Sequence, residues 1–160
     1  MAQNAKEALK VLDKTAAIVG RNGGAYAGFS ISGSKLGATN GTIAIKGNKF
    51  YAHTPQATVW FNGKTQWAYM KATTEVNVTT PNEANQAQMN PYKFITLYKS
   101  GYSLTSKKQV NAYQIHMVAQ DKKRSIQELY ITIRKNYIPS QVKMRQGTNW
   151  TTINITNFKA

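Results

Sequence analysis

Cysteine is absent from the sequence, which excludes a disulfide framework, a thiol nucleophile and a cysteine-based zinc site. Acidic residues are scarce as well, because six Asp and Glu stand against 21 Lys and Arg, for a formal net charge of +15. That charge predicts attraction to polyanions and anionic lipid surfaces. It names no specific partner, since the basic residues are scattered and the one tight run, residues 122–124, is expected in a solvated turn.

Residues with catalytic or metal-binding chemistry are also few. His53 and His116 lie in separate predicted strands without an acidic or histidine neighbour at metal-ligand spacing, so we interpret both as strand residues. Glu7 and Asp13 belong to an exposed helix face and Glu83 to a helix cap, which disfavours a catalytic carboxylate pair. No nucleophile elbow, P-loop or dinucleotide fingerprint is present. The sequence therefore predicts a non-catalytic protein without a cofactor or metal.

Long apolar runs are missing too, because no stretch approaches the roughly 18 to 20 residues of a membrane-spanning helix. The chain opens with Met1 directly ahead of a predicted helix. From this start we form the hypothesis that the chain is an exported protein of the periplasm and that its signal peptide has been removed. No repeat or linker interrupts the sequence, and its 160 residues suit a single domain over residues 1–160.

The residues that are present predict one N-terminal helix followed by many β-strands. Apolar residues recur at helical spacing over residues 5–19, with Lys6, Lys10, Asp13 and Lys14 on the opposite side, which predicts an amphipathic helix. Short β-branched and aromatic runs separated by turn residues then predict antiparallel strands. These strands are expected at residues 26–32, 42–46, 49–54, 58–61, 64–69, 75–79, 102–105, 110–120, 126–135, 140–145 and 151–158.

The dipeptide Asn62-Gly63 is the strongest local signal, because it favours a two-residue type I′ hairpin. Pairing Phe61 with Lys64 sets the register. Trp60, Trp67 and Tyr69 then share one face, and the other face carries Ala57, Val59, Phe61 and Ala68. Since both faces are apolar, the hairpin is predicted to be covered on both sides or to line a cavity.

Two short helices are predicted in mid-chain. Residues 80–83, Thr-Pro-Asn-Glu, combine an N-cap, a first-turn proline and a capping-box glutamate, and Asn-Pro at residues 90–91 repeats the start signal. Phe94 and Ile95 continue the second helix, which ends near residue 101. Such helices can cover a sheet, but the residues leave open whether they close a packed core or a pocket.

Several motifs follow the first helix in a fixed order. They are Gly41-x-Ile43-x-Ile45-Lys46-x-Asn48-Lys49-Phe50, Trp60-Phe61-Asn62-Gly63-Lys64-Thr65-x-Trp67-x-Tyr69, Glu75-Val76 and Asn90-Pro91-x-x-x-Ile95. From residue 12 to about residue 133 this set resembles LolA, the family of periplasmic carriers of outer-membrane lipoproteins. The resemblance implies an α+β, mainly antiparallel fold: an incomplete β-barrel whose concave face is covered by helices acting as a lid.

The same resemblance implies a function and a site. Such carriers hold the acyl chains of lipoproteins in a hydrophobic pocket, receive them from an inner-membrane donor transporter and pass them to an outer-membrane acceptor. By position, Leu12 and Ile95 match pocket-facing family residues. Weaker positional grounds add the apolar residues Leu9, Phe50, Trp60, Trp67 and Phe94.

Two departures from the family pattern bear on these expectations. Residues 46–48 read Lys-Gly-Asn, without the arginine that holds the lid shut in the best-known members, so lid and barrel are expected to be held by packing alone. The chain also ends at Ala160, where the family adds a further strand, so a C-terminal strand is expected to be missing and to leave an unpaired edge.

Two other functions remain open on the sequence. The same fold suits a lipid-sensing or protein-interaction module. The net charge and aromatics such as Tyr26, Phe29, Trp60 and Trp67 suit a binder of nucleic acid or another polyanion. Because those aromatics alternate with aliphatic residues rather than with Lys or Arg, we favour a monomeric lipid carrier that does not bind nucleic acid and touches anionic membranes transiently.

Overall fold

The computed structural model describes residues 2–19, 23–33, 37–47, 49–80, 101–124 and 126–159. In these ranges the chain forms one helix, α1 (Ala2–Val19), and eleven strands. The strands are β1 (Ala25–Gly33), β2 (Gly37–Lys46), β3 (Lys49–His53), β4 (Ala57–Phe61), β5 (Gln66–Met70), β6 (Glu75–Thr79), β7 (Tyr102–Lys108), β8 (Ala112–Ala119), β9 (Glu128–Arg134), β10 (Pro139–Gln146) and β11 (Asn149–Lys159). Every predicted strand is confirmed, whereas the two predicted mid-chain helices lie outside the described residues.

All eleven strands belong to one antiparallel sheet in the order β6-β5-β4-β3-β2-β1-β11-β10-β9-β8-β7. The sheet does not close, because β6 and β7 stand at its two edges. The last strand, β11, lies in the middle and pairs with both β1 and β10. Long-range pairing with β1 thus keeps β11 away from the edges of the sheet, and a missing further strand stays a prediction.

Helix α1 packs on one face of this sheet. It begins at Ala2 rather than at residue 5, and Lys6, Lys10, Asp13 and Lys14 are exposed as predicted. Its buried stripe consists of Ala8, Val11, Leu12, Thr15 and Val19. The helix contacts β7. Lys14 also reaches β9 and β10 through their connecting turn, where its Nζ lies 4.7 Å from the centre of the Tyr137 ring.

The β4–β5 hairpin has the predicted faces but not the predicted register. Phe61 pairs with Gln66 rather than Lys64, because residues 62–65 form a longer loop. Asn62 Oδ1 accepts hydrogen bonds from the backbone N–H groups of Lys64 and Thr65, and Asn62 N–H donates to the Thr65 carbonyl at 3.2 Å. The shift is two residues, so the side chains keep their predicted faces.

The two faces of the sheet differ sharply. We call the face under α1 the inner face and the opposite one the outer face. Successive pairings such as Ile43 with Ala52 and Ala52 with Val59 place the buried side chains of neighbouring strands on the inner face. On the outer face Trp60 is 41% exposed, so the prediction that the hairpin is covered on both sides is wrong there.

Candidate functional site

The inner face is a continuous apolar surface. Its buried side chains come from β1 to β4 and from β7 to β11: Ala25, Ala27, Ile43, Ile45, Phe50, Ala52, Val59, Phe61, Tyr102, Ile115, Met117, Leu129, Ile131, Ile133, Val142, Met144, Ile153 and Ile155. Together with the stripe of α1 they form one cluster. Among the described residues, two polar side chains are buried beside this cluster: Thr15 of α1, whose hydroxyl has no hydrogen-bond partner there, and Thr151 of β11. The surface thus suits hydrocarbon better than a polar ligand.

The width of the sheet explains its curvature. Eleven strands spaced by about 4.8 Å measure roughly 48 Å across, whereas a helix with its side chains is about 10 to 12 Å wide. A flat sheet under α1 would leave most inner side chains in water. Instead Phe50 and Phe61, on the fourth and third strands from one end of the strand order, are 4% and 3% exposed, and belong to the same buried cluster as Met117 near the other end. The sheet therefore curls around its inner face as an incomplete barrel.

Three of the predicted pocket residues lie on the inner side of the fold. Leu12 is completely buried in the stripe of α1. Phe50 is buried on β3, and its ring centre lies 5.4 Å from that of Phe61. Leu9, on α1 beside Leu12, is 42% exposed and so borders the buried stripe.

Two other predicted pocket residues, Trp60 and Trp67, do not join them. Trp60 and Trp67 pair with each other across β4 and β5 on the outer face, so the sheet itself separates them from Leu12 and Phe50. Strand alternation is the reason, since Phe61 and Trp60 are neighbours in sequence and must point to opposite sides. Phe94 and Ile95 lie outside the described residues.

Lys46, the first residue of the Lys-Gly-Asn stretch at residues 46–48, also faces outward. Lys46 ends β2 and pairs with Lys49 of β3. It alternates with the buried Ile45, which places its exposed side chain on the outer face. The Lys46 side chain therefore points away from α1 and the inner face.

A compact ionic cluster occupies the outer face of β8 to β10. The Glu128 carboxylate accepts a hydrogen bond from Arg145 Nε at 3.0 Å and lies 2.5 Å from His116 Nε2. The His116 ring stacks on Tyr130, with ring centres 4.3 Å apart. Burial by itself raises the pKa of the Glu128 carboxyl, but the hydrogen bonds from His116 and Arg145 outweigh it and bring the pKa below its ordinary value of 4.5.

This cluster predicts an acid-dependent loss of stability. Because the pKa of Glu128 is lower in the folded chain than in the unfolded one, its stabilisation is present above about pH 4.5 and disappears as the pH falls through the folded value. We expect Glu128→Gln to lower the free energy of unfolding by about 1 to 2 kcal/mol at pH 7. Urea unfolding at pH 7, 5 and 3 should show the difference between the two proteins narrowing as the pH falls, and an equal gap at every pH would contradict this assignment.

Sequence reasoning missed this cluster because its members are far apart along the chain. His116 and Glu128 come together through the pairing of β8 with β9, and Arg145 pairs with Glu128 from β10. The sequence showed which residues alternate along each of these strands, but it did not show how the strands pair with one another. Within the part of the chain that the structure describes, no group of three or more potential metal ligands occurs. There, too, no helix is long and apolar enough to cross a membrane.

Comparison with known proteins gives a family and a fold. A profile of the family described as outer membrane lipoprotein carrier protein LolA matches residues 1–148. No curated protein matches the sequence. Solved structures match nearly the whole chain, among them an uncharacterized conserved protein from Thermus thermophilus, with 11% identity, a TM-score of 0.63 and coverage of 96% of this chain and 86% of that one.

Two further structures share the fold at similarly low identity. A putative outer membrane lipoprotein-sorting protein domain from Vibrio parahaemolyticus is 12% identical, with a TM-score of 0.53 and coverage of 98% of this chain and 93% of its own. The lipoprotein LppX from Mycobacterium tuberculosis is 8% identical, with a TM-score of 0.53 and coverage of 98% and 95%. At these identities the likeness concerns the fold alone.

Proposed function

The chain belongs to the LolA family of outer membrane lipoprotein carrier proteins, and from that premise we propose that it is a non-catalytic carrier that binds lipoprotein acyl chains. In this proposal the chain is a single periplasmic domain that acts as a monomer. It receives its cargo from a transporter in the inner membrane and releases it to an acceptor in the outer membrane. No covalent step is involved.

The observation that carries this proposal is the apolar inner face of a sheet that does not close. On β1 to β4 and β7 to β11 its buried side chains are apolar except for Thr151, and the edges β6 and β7 are not paired with each other. An acyl chain needs such a dry, apolar and extended surface. It needs no charged or metal-bound anchor.

Release of the cargo depends on moderate affinity. Burial of hydrocarbon contributes about 0.8 kcal/mol per CH₂, so a fully buried acyl chain of a dozen methylenes gains roughly 10 kcal/mol. The inner side chains already bury one another, since Met117, Leu129 and Ile131 have no exposed surface. Cargo must displace part of this packing, and that cost lowers the net affinity to a level at which transfer is possible.

Binding of a fluorescent fatty acid tests the proposal. Ile95 matches a pocket-facing family position, and an aspartate there would bring a charge into contact with hydrocarbon. We expect Ile95→Asp to weaken binding at least about tenfold, equivalent to 1.4 kcal/mol, while circular dichroism shows an unchanged fold. Val110→Asp is the matched control, because Val110 is an apolar residue that is 84% exposed in the β7–β8 turn. Equal binding by both variants, or no binding by the unmodified protein, would refute the proposal.

Salt dependence separates this function from polyanion binding. Fatty-acid binding by apolar burial should change little between low and high salt. Affinity for an oligonucleotide that relied on the net charge of +15 should fall steeply over the same range. A transfer assay to acceptor vesicles then distinguishes a carrier from a module that only senses lipid.

A further inference from the structure

One cross-strand row on the outer face is apolar along six strands. Its members pair in succession from β1 to β6: Tyr26, Ala44, Tyr51, Trp60, Trp67 and Val78. We call these six residues the aromatic row. At about 4.8 Å per strand it measures roughly 24 Å across the sheet.

The aromatic row is open to solvent. Tyr26 is 47% exposed, Tyr51 and Trp60 are each 41% exposed, and Val78 is 60% exposed. Val76, beside the row on β6, is 55% exposed. Single exposed apolar residues are ordinary, but a contiguous line of them marks a surface that meets an apolar partner.

The rest of the outer face shows that this row is a local feature. Across β8 to β11 the corresponding side chains are mainly polar or ionic, including Gln114, Thr132, Lys143, Thr152 and Asn154. The aromatics Tyr130 and Trp150 there stack on each other, with ring centres 6.0 Å apart, beside the ionic cluster of Glu128. The apolar line is thus confined to one half of the sheet.

Lysines border one end of the aromatic row. Lys46, Lys49 and Lys159, together with Tyr26 and Tyr51, line a surface groove of about 560 Å³. None of the described residues that line this groove is acidic, and strands β1 to β6 contain one acidic residue, Glu75. Glu75 pairs with Met70, and these two side chains point to the face opposite the aromatic row. Glu75 therefore does not face the groove.

We propose that the aromatic row and its bordering lysines dock the protein on the surface of an anionic phospholipid membrane. Trp and Tyr are suited to the membrane–water interface because one part of the ring is apolar and the other carries a hydrogen-bonding group. The lysines complement phosphate groups, and each is expected to raise affinity for an anionic surface on the order of fivefold. The aliphatic members Ala44 and Val78 contribute to burial in lipid.

Two observations favour a membrane over a nucleic acid or sugar chain. Stacking on bases or sugars needs ring faces presented side by side, whereas the Tyr51 and Trp60 rings are tilted by 57° with their centres 5.9 Å apart. The row also continues into Val78, which has no ring to stack on. This surface lies opposite the inner face, so its membrane contact does not depend on acyl-chain binding.

Binding to vesicles tests the proposal with the full chain. We compare vesicles of phosphatidylcholine with vesicles in which about 30% of the lipid is phosphatidylglycerol, an anionic surface of the kind that attracts basic residues. Sedimentation measures the bound fraction, and the emission maximum of the tryptophans reports whether they enter an apolar environment. We expect binding to the anionic vesicles with a blue shift, and much weaker binding to phosphatidylcholine.

Two pairs of variants assign that binding to the row. We expect Tyr51→Ala with Trp60→Ala to weaken binding at least about tenfold. Trp150→Ala, which removes an aromatic that is 38% exposed on the other half of the outer face, should have no effect. Changing Lys46, Lys49 and Lys159 to Gln should weaken binding far more than changing Lys122, Lys123 and Lys135 to Gln, although both sets lower the net charge equally.

Several outcomes would overturn the proposal. One is unchanged vesicle binding by the Tyr51 and Trp60 variant, and another is equal loss with both lysine sets, which would indicate attraction by overall charge alone. A third is failure of the unmodified protein to bind anionic vesicles. Binding of a single-stranded oligonucleotide that is lost in the same row variant, without vesicle binding, would assign the surface to a polyanion instead.

Discussion

Phe61→Ala is expected to lower the free energy of unfolding by about 3 to 5 kcal/mol, and the melting temperature by roughly 10 °C. Phe61 is 3% exposed on the inner face and pairs with Phe50, so truncation removes a large buried ring and leaves a cavity that the curved sheet cannot easily collapse. Thermal unfolding followed by circular dichroism measures the change.

Trp60→Ala is the matched control for this prediction, because Trp60 is the preceding residue on the same strand. Its ring is 41% exposed on the outer face, so we expect its truncation to cost no more than about 1 kcal/mol. An equal cost for both variants would mean that the two faces of β4 have been assigned incorrectly. The comparison therefore tests the division of the sheet into a packed inner face and an open outer face.

Gly41→Ala is expected to destabilise the fold by about 1 to 3 kcal/mol through steric overlap. A Cβ atom at Gly41 would lie 1.9 Å from the backbone carbonyl oxygen of His53, where β2 meets β3. Neither backbone can move without disturbing the pairing of Thr42 with His53. Urea unfolding of the variant measures the loss.

Gly23→Ala provides the comparison for Gly41, because no atom lies within 4 Å of a Cβ placed there. We expect this change to be nearly neutral or slightly stabilising, since alanine restricts the unfolded chain more than glycine does. If Gly41→Ala behaved in the same way, the close approach of β2 and β3 would be wrong. Gly41 opens the first motif by which the sequence resembles its family, and this contact gives a physical reason for a glycine there.

The local sequence predicted the elements well. Helical spacing identified α1, and alternation with turn residues identified all eleven strands, with β6 (Glu75–Thr79) placed to the residue. Alternation also assigned Trp60 and Phe61 to opposite faces, although the turn at Asn62 was longer than expected. This error in register did not change the predicted faces of the hairpin, because a shift of two residues leaves each side chain on the same side of the sheet.

The site was less predictable, because it depends on which strands become neighbours. Phe50 and Leu12 were expected in one apolar site and both lie on the inner side, whereas Trp60 and Trp67 were expected with them and lie on the outer face. Residue type alone cannot separate these cases, since a tryptophan suits a pocket and a membrane surface equally. The resemblance suggested positions, and the direction of each strand residue had to come from the assembled sheet.

By itself, the sequence determined the absence of cysteine chemistry, the strongly basic surface, the helix, the strands and the family, because these depend on residue types and on spacing within one segment. Only the tertiary structure decided that β11 lies in the centre of the sheet, that His116, Glu128 and Arg145 meet, and that an aromatic row crosses six strands. The physical reason is that antiparallel pairing joins residues far apart in sequence. Its register follows from the packing of the whole sheet rather than from the residues of any single strand.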